Sequence, residues 1–402
     1  MNKIVYLLKG LAIKKQHYSN KRNPCIWVFG EWFGEKCYDN SLFMANYIAM
    51  NHPEIHVYWT SKKNIDLSLL DTRISCLVFG TEKAFSIYKI AGVVFMNQGL
   101  RDFSELGFDY FDGAIKINLW HGVMWKRIGH DGSKKDNLLY NLYKKINDYT
   151  FGSSYYLAVS EEYAKVCKSA FGADRRHIIR DGYPRNSVFY NKENLKNAKR
   201  QVIDILSNET GYHWSYNTRI ITYMPTFRDN VKEVFSCEEL EKDEVFLNWL
   251  EDNNIVLLQK MHFITQKRET ESIKLHKQKR IITFNKVSPQ ILLAATDLLI
   301  TDYSSCFFDF LLLDRPIIHF LYDYNYYKDK DRGLYYESKN VVCGDIATDK
   351  TQLKDLLVEN ILNPEIRHEL RMSRRKKYMT YETSKSCENI YKKVLKILNE
   401  KK

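Results

Sequence analysis

The sequence has no Cys-x-x-Cys pair, and its eight cysteines are scattered over 402 residues. That spacing excludes both the dense disulfide framework of small secreted domains and a paired-thiolate zinc site, and it fits a reduced, cytosolic compartment. No apolar run approaches the roughly 20 residues that span a bilayer, the best candidates being strand-sized pieces such as AGVVFM. No membrane crossing is therefore expected, and the start, which has no small-residue cleavage site, reads as retained. A Walker loop, a G-x-G-x-x-G loop and an Asp-x-Asp at the end of a strand-like run are also missing. Charge on a bound phosphate would have to be met by side chains and helix ends. Acidic residues are absent from the first 30 positions, which carry Lys3, Lys9, Lys14, Lys15, Lys21 and Arg22 within a net charge of +12. Arg371, Arg374, Arg375, Lys376 and Lys377 precede a last helical pattern in which Ile390, Tyr391, Val394, Ile397 and Leu398 share a stripe. Both basic ends suit an anionic lipid surface, or else are the solvated faces of packing helices.

What is present is an alternation of short apolar strands with helical stretches. IWVFG, IHVYWT, ISCLVF, GVVFM, AIKINLW and YYLAVS run in order through residues 26–160. After a polar stretch at about 191–217 the pattern restarts with RIITYMP, NIVLLQK, RIITF, DLLITD and PIIHFL. Continuous apolar strands separated by helices predict parallel sheets covered on both faces. The chain is expected to be α/β, with two doubly wound Rossmann-like domains, 1–215 and 216–402, whose ligands lie at the carboxyl ends of strands.

Chemistry-bearing residues gather at those ends. DLLITDYSSCFFDF reads as a buried strand ending at Thr301-Asp302, a turn through Ser304-Ser305, and a helix from about Cys306. Two hydroxyls and unpaired backbone N–H groups at a helix start make an anion site, whereas a plain N-cap needs only one serine. In INLWHGVMWKRIGHD a strand delivers His121 and Gly122 to a loop, with Lys126 and Arg127 close behind. An imidazole there suits general base work near neutral pH, against the alternative of a structural histidine. Lys260 and His262 follow a third strand, and proline-shaped loops carry Arg185-Asn186 and Thr226 with Arg228.

WHGVMWKRIG, GYPRN, YMPTFRD, LLQKMHF and TDYSSCFFDFLLLDRPI, with DRGLYYE trailing at 331–337, resemble in this order the CDP-glycerol:poly(glycerophosphate) glycerophosphotransferase family. That family makes teichoic acids and related capsule polymers; the likeness covers about residues 115–340, and VFGEWFGEKCYDNS looks like the family's opening strand and loop. The resemblance implies a GT-B type architecture with the active site in its cleft and a CDP-glycerol or CDP-ribitol donor. It also implies no metal or other cofactor, a lipid-linked or polymer acceptor borne by the membrane, and attachment to the membrane's cytoplasmic face. His121 and His262 are then the catalytic residues. Lys260, Thr226, Arg228, Thr301, Asp302, Ser304, Ser305 and Asp309 form the donor site, with the N-terminal domain taking the acceptor. Gly122, Lys126, Arg185, Asn186 and Arg332 are further candidates. Val123-Met124 and Phe263 stand where the family has Thr-Pro and Pro.

The expected reaction is attack of an acceptor hydroxyl on the phosphorus bearing the polyol, releasing CMP, with His121 as general base and His262 with Lys260 on the phosphate. A GT-B inverting glycosyltransferase using a nucleotide sugar shares the fold, and the nucleotide released, CMP or UDP, separates the two. A nucleic-acid-binding protein is suggested by the basic balance and 28 tyrosines, but the cations gather at the termini, so no nucleic acid partner is expected. The length leaves no room for the extra N-terminal domain common among the family's polymerases, which fits a primase adding one or a few units.

Overall fold

The computed structural model describes residues 3–17, 21–132, 138–226, 235–260, 280–330 and 333–400. The chain forms two compact units: Met1–His121, Gly129–Ser187 and Thr380–Lys402 make unit 1, and Gly122–Ile128 with Val188–Met379 make unit 2. Unit 1 holds strands β1 (Asn23–Phe29), β2 (His56–Ser61), β3 (Ser75–Val78), β4 (Ala91–Met96), β5 (Ile115–Asn118), β6 (Tyr155–Ala158) and β7 (Ile178–Arg180). Their order is β3-β2-β1-β4-β5-β6-β7. Unit 2 holds β8 (Arg219–Met224), β9 (Ile255–Gln259), β10 (Ile281–Thr283), β11 (Leu298–Thr301), β12 (Ile317–Phe320) and β13 (Asp345–Ala347), in the order β10-β9-β8-β11-β12-β13. Strand pairing is parallel throughout the described residues. Both units are doubly wound, as expected, and the strand order reverses between β1 and β4 and between β8 and β11.

The two-sided burial of parallel strands is visible residue by residue. Ile221, Leu257 and Ile300 face one core with Phe246 and Leu353, while Ile220, Val256 and Leu258 face the other with Val202, Leu206 and Leu292. In unit 1, Val28, Val94 and Met96 pack with Tyr88, Phe103 and Phe111. β1 stops at Gly30, where a Cβ would meet the Asp102 carbonyl at 2.7 Å, so a side chain there would push apart the loops that follow β1 and β4.

Two expectations change. The polar stretch expected to be a boundary contains the helix Lys192–Thr210, whose Val202, Ile203 and Leu206 enter the core of unit 2; the division falls at Ser187 and Val188, not at 215 and 216. The last helix, Ser386–Glu400, belongs to unit 1. Its Ile390 and Val394 are buried, and Tyr391 stacks on His52 at 3.6 Å and donates to Glu54 at 3.1 Å, so the stripe considered for lipid is used within the protein. Arg371, from the basic run before it, is 1% exposed and donates to Asp314 at 2.9 Å. No described helix is long and apolar enough to cross a membrane.

Candidate active site

In unit 1 the loops leaving β1, β4 and β5 meet at the carboxyl edge of the sheet. Beyond β4, the Asn97 and Gln98 amides each donate to Asp102 Oδ2 at 2.8 Å, and the Phe33 amide, beyond β1, donates to Oδ1 at 2.8 Å. One buried carboxylate thus closes the seam where the strand order reverses. Burial raises its pKa to about 6 against the downward pull of those three amides.

β5 leads into the turn that presents His121. Trp120 takes a φ of 57°, a left-handed conformation that costs a bulky residue about 1–2 kcal/mol. Three bonds hold it there: Trp120 N to Asn118 Oδ1 at 2.9 Å, Asn40 Nδ2 to the Trp120 carbonyl at 2.8 Å, and Arg185 NH1 to the His121 carbonyl at 3.1 Å. Strain that the surroundings enforce in this way is a mark of functional positions. The His121 ring is half-buried, stacked on Trp120 at 4.4 Å and 5.4 Å from Trp32. Its Nδ1 lies 3.4 Å from Gln98 Nε2, while Gln98 Oε1 accepts from the Trp32 amide at 2.7 Å.

Arg185 and Asn186, which the sequence suggested for phosphate, are engaged inside unit 1. Arg185 also donates to Asp39 at 2.9 Å, and Asn186 donates to Glu382 at 2.9 Å. Asp39 in turn caps the helix Asn40–Asn51 and accepts from the Trp32 indole at 2.9 Å. Beside it, burial and the Asp39 charge push the Glu31 pKa well up, although the Tyr38 and Asp39 amides donate to it.

Unit 2 repeats the seam. The Thr226 amide, beyond β8, and the Tyr303 amide, beyond β11, both donate to Asp302 Oδ1, at 2.8 and 2.6 Å. Thr301 donates its hydroxyl to the Met224 carbonyl at 2.8 Å, Asp309 accepts from Gln290 at 3.1 Å, and Lys260 donates to the Val287 carbonyl at 2.8 Å. These side chains therefore have a structural part that the sequence did not foresee. Ser304 and Ser305 are half-buried at the turn, and Ser305 makes no side-chain capping bond to the helix Cys306–Phe310, so it is not a plain N-cap. Burial pushes the Cys306 thiol up to about 11, which removes it as a nucleophile. His262, Arg228 and Arg332 lie outside the described residues.

Gly122, at a φ of 137°, opens the short segment that belongs to unit 2. Its anchor is Trp125, fully buried, which donates to the Tyr336 carbonyl at 2.7 Å and packs 5.4 Å from Tyr303. Lys126 pairs with Leu334 in an antiparallel bridge, flanked by Arg127 N to Gly333 O at 3.0 Å and Tyr335 N to Trp125 O at 2.8 Å. Within unit 2, packing thus brings together the Trp125–Arg127 part of the first motif, Tyr303 of TDYSS and Gly333–Tyr336. Beside them stands His319, which the sequence reading overlooked; it is opposite Thr301 in the β11–β12 register, and its Nε2 accepts from the Cys343 amide at 3.3 Å. Burial lowers its pKa to about 4 against the opposing influence of Asp302 and Asp345.

The sequence pattern of the CDP-glycerol:poly(glycerophosphate) glycerophosphotransferase family matches residues 13–396. The chain belongs to that family. It is 26% identical to a teichoic acid glycerol-phosphate transferase of Staphylococcus aureus (strain NCTC 8325 / PS 47), over 83% of this chain and 84% of the relative. It is also 26% identical to a teichoic acid poly(glycerol phosphate) polymerase of Staphylococcus epidermidis, over 81% of this chain but only 44% of that protein. The solved structure of the wall teichoic acid polymerase TagF superposes with a TM-score of 0.78 at 21% identity, covering 98% of this chain and 94% of that one. The fold is GT-B type, and the protein is a transferase of the glycerophosphotransferase kind.

The transferase should lose about 2–4 kcal/mol on Asp302→Ala, because two buried amides lose their acceptor. Asp302→Asn, which keeps one carboxamide oxygen there, should recover most of that in urea unfolding. His319 has a folded pKa near 4 and an unfolded value of about 6.5, so its contribution is complete above pH 6.5 and is lost as pH falls toward 4. Asp102 and Glu31 act in the opposite direction, so the comparison is with a His319→Gln variant. Its stability relative to the native protein should rise by about 2 kcal/mol between pH 7.5 and 5.

Proposed function

We propose that this transferase moves glycerol phosphate from CDP-glycerol to a hydroxyl of a membrane-borne teichoic acid acceptor and releases CMP. The observation that carries the reading is the agreement of a family match along residues 13–396 with a braced His121 behind a strained Trp120 in unit 1 and the serine turn at the seam of unit 2. Glycerol is preferred to ribitol because the glycerol-phosphate transferase named above is matched over 84% of its own length. Unit 2, with Ser304 and Ser305, is assigned to the donor diphosphate, and unit 1 to the acceptor. The family resemblance assigns His121 and His262 to catalysis of the phosphoryl transfer. The acceptor oxygen forms the new bond to phosphorus as the bond to CMP breaks, a displacement that depends on positioning and charge stabilisation and needs no resident metal.

The protein acts at the cytoplasmic face of the membrane without crossing it. The helices Lys3–His17 and Leu138–Phe151 meet through Tyr6 and Phe151, stacked at 5.0 Å, and expose Ile4, Leu8, Leu142 and Tyr149, with Lys9 and Lys145 exposed on the same helices. Apolar side chains among lysines suit the headgroup region of an anionic bilayer.

Purified protein with acceptor membranes should release CMP from CDP-glycerol, with chelator present, and His121→Ala should lower turnover roughly a hundredfold. Release from CDP-ribitol alone would change the donor, and UDP release from a nucleotide sugar would overturn the reaction. Sedimentation with phosphatidylglycerol vesicles should exceed that with phosphatidylcholine, and Ile4→Asp with Leu8→Asp should weaken it by about tenfold or more.

A further inference from the structure

Gln98 has no place in any motif and touches no predicted donor residue, yet it stands between the seam and His121. Its backbone amide donates to Asp102 and its side-chain oxygen accepts from the Trp32 amide at 2.7 Å. An amide oxygen held by an N–H donor leaves only the NH2 group for the other side, so the orientation of this carboxamide is set by its partner. The NH2 group faces His121 Nδ1 at 3.4 Å. A nitrogen that faces a donor must supply the lone pair, which leaves the proton of the neutral ring on Nε2.

We infer that Gln98 is a positioning residue that holds His121 in its Nε2–H tautomer, so that the ring meets the substrate as a hydrogen-bond donor and not as a general base. This rests on the proposed reaction and revises the role expected of His121 from sequence. In a histidine that acts as a base, Nδ1–H is held by an acceptor and Nε2 is free of a proton. Here the arrangement is reversed. The Nε2–H group donates to a non-bridging oxygen of the transferring phosphoryl group. The acceptor oxygen bonds to phosphorus, the bond to the CMP oxygen breaks with its electron pair leaving on CMP, and the hydroxyl proton passes to water late in a loose transition state.

Among the described residues, charged groups on His121 and its immediate supports are Arg185 on its carbonyl, Asp39 on the Trp32 indole and Arg185, Asp102 on the Gln98 amide, and Glu31 on the Asp39 amide. Asp102, with a pKa near 6, titrates on the acid side. The informative limb is the alkaline one. In the native protein the neutral and the protonated ring both carry Nε2–H, so His121 produces no loss of turnover as pH rises. In Gln98→Glu a carboxylate oxygen still accepts from Trp32, while the other draws the ring proton to Nδ1. The neutral ring of the variant then lacks Nε2–H, and turnover should fall about tenfold per pH unit above the His121 pKa.

The test uses the full-length protein. Nitrogen-15 spectra of histidine-labelled protein, with His121 assigned through His121→Gln, should show a bare Nδ1 and a protonated Nε2 in the native protein and the reverse in Gln98→Glu. CMP release against pH should show the new alkaline limb only in the variant. A protonated Nδ1 in the native protein, or a variant as active as the native protein at high pH, overturns the inference. If Gln98→Glu fails to fold, the native spectrum alone decides. If the native protein releases no CMP from CDP-glycerol, the proposed function fails, while the spectrum, which needs no substrate, still decides the tautomer.

Discussion

Each sheet opens at the point where its strand order reverses, and in each unit one buried aspartate closes the opening. The loops after β1 and β4, and after β8 and β11, diverge there with backbone N–H groups that no strand can pair. Asp102 collects three of these amides and Asp302 two. Taking a carboxylate out of water costs several kcal/mol, and charge-assisted bonds from fixed amides offset much of that cost. The opposing effects are visible at Asp102, where desolvation wins and the pKa rises although all three amides favour the charged form. The chemistry-bearing loop of each unit hangs on its seam: Gln98 and Trp32 are placed by the first, and Tyr303 with its two serines by the second.

The fold was legible because its central strands are apolar on both faces, a pattern that only a covered parallel sheet satisfies. The strands that escaped notice, β7 and β13, are three residues long and carry Arg180 and Asp345, whereas β10, equally short, lies in the apolar run RIITF. The false boundary at 191–217 has a similar cause. The helix Lys192–Thr210 buries few residues among many polar ones, so its composition reads as linker while Val202, Ile203 and Leu206 make it part of a core.

The candidate site was legible in its motifs and not in its supports. His121, Gly122, Ser304 and Ser305 stand out because unusual residues sit at strand ends. Gln98 and Asp102 come after the strand AGVVFM with no local pattern, since each is fixed by a backbone amide of the distant loop after β1, Trp32 for Gln98 and Phe33 for Asp102. Asp39 did carry a signal, an N-cap residue directly before an apolar helical stretch. Charge runs misled in part: Arg371 looked like a surface cation and is buried on Asp314. The Asp314-Arg315 pair has a mechanical use as well, since Arg315 donates to the Ala294 and Thr296 carbonyls at the end of the helix Pro289–Ala295.

The path of the chain between the units also bears on how the protein is made. Unit 2 needs Gly122–Ile128, synthesised early, and is otherwise the continuous piece Val188–Met379; unit 1 needs Thr380–Lys402. During synthesis unit 1 is therefore begun before the piece Val188–Met379 of unit 2 and completed only after it. Until the helix Ser386–Glu400 arrives, the nascent unit 1 shows water the surface that Ile390, Tyr391 and Val394 will cover.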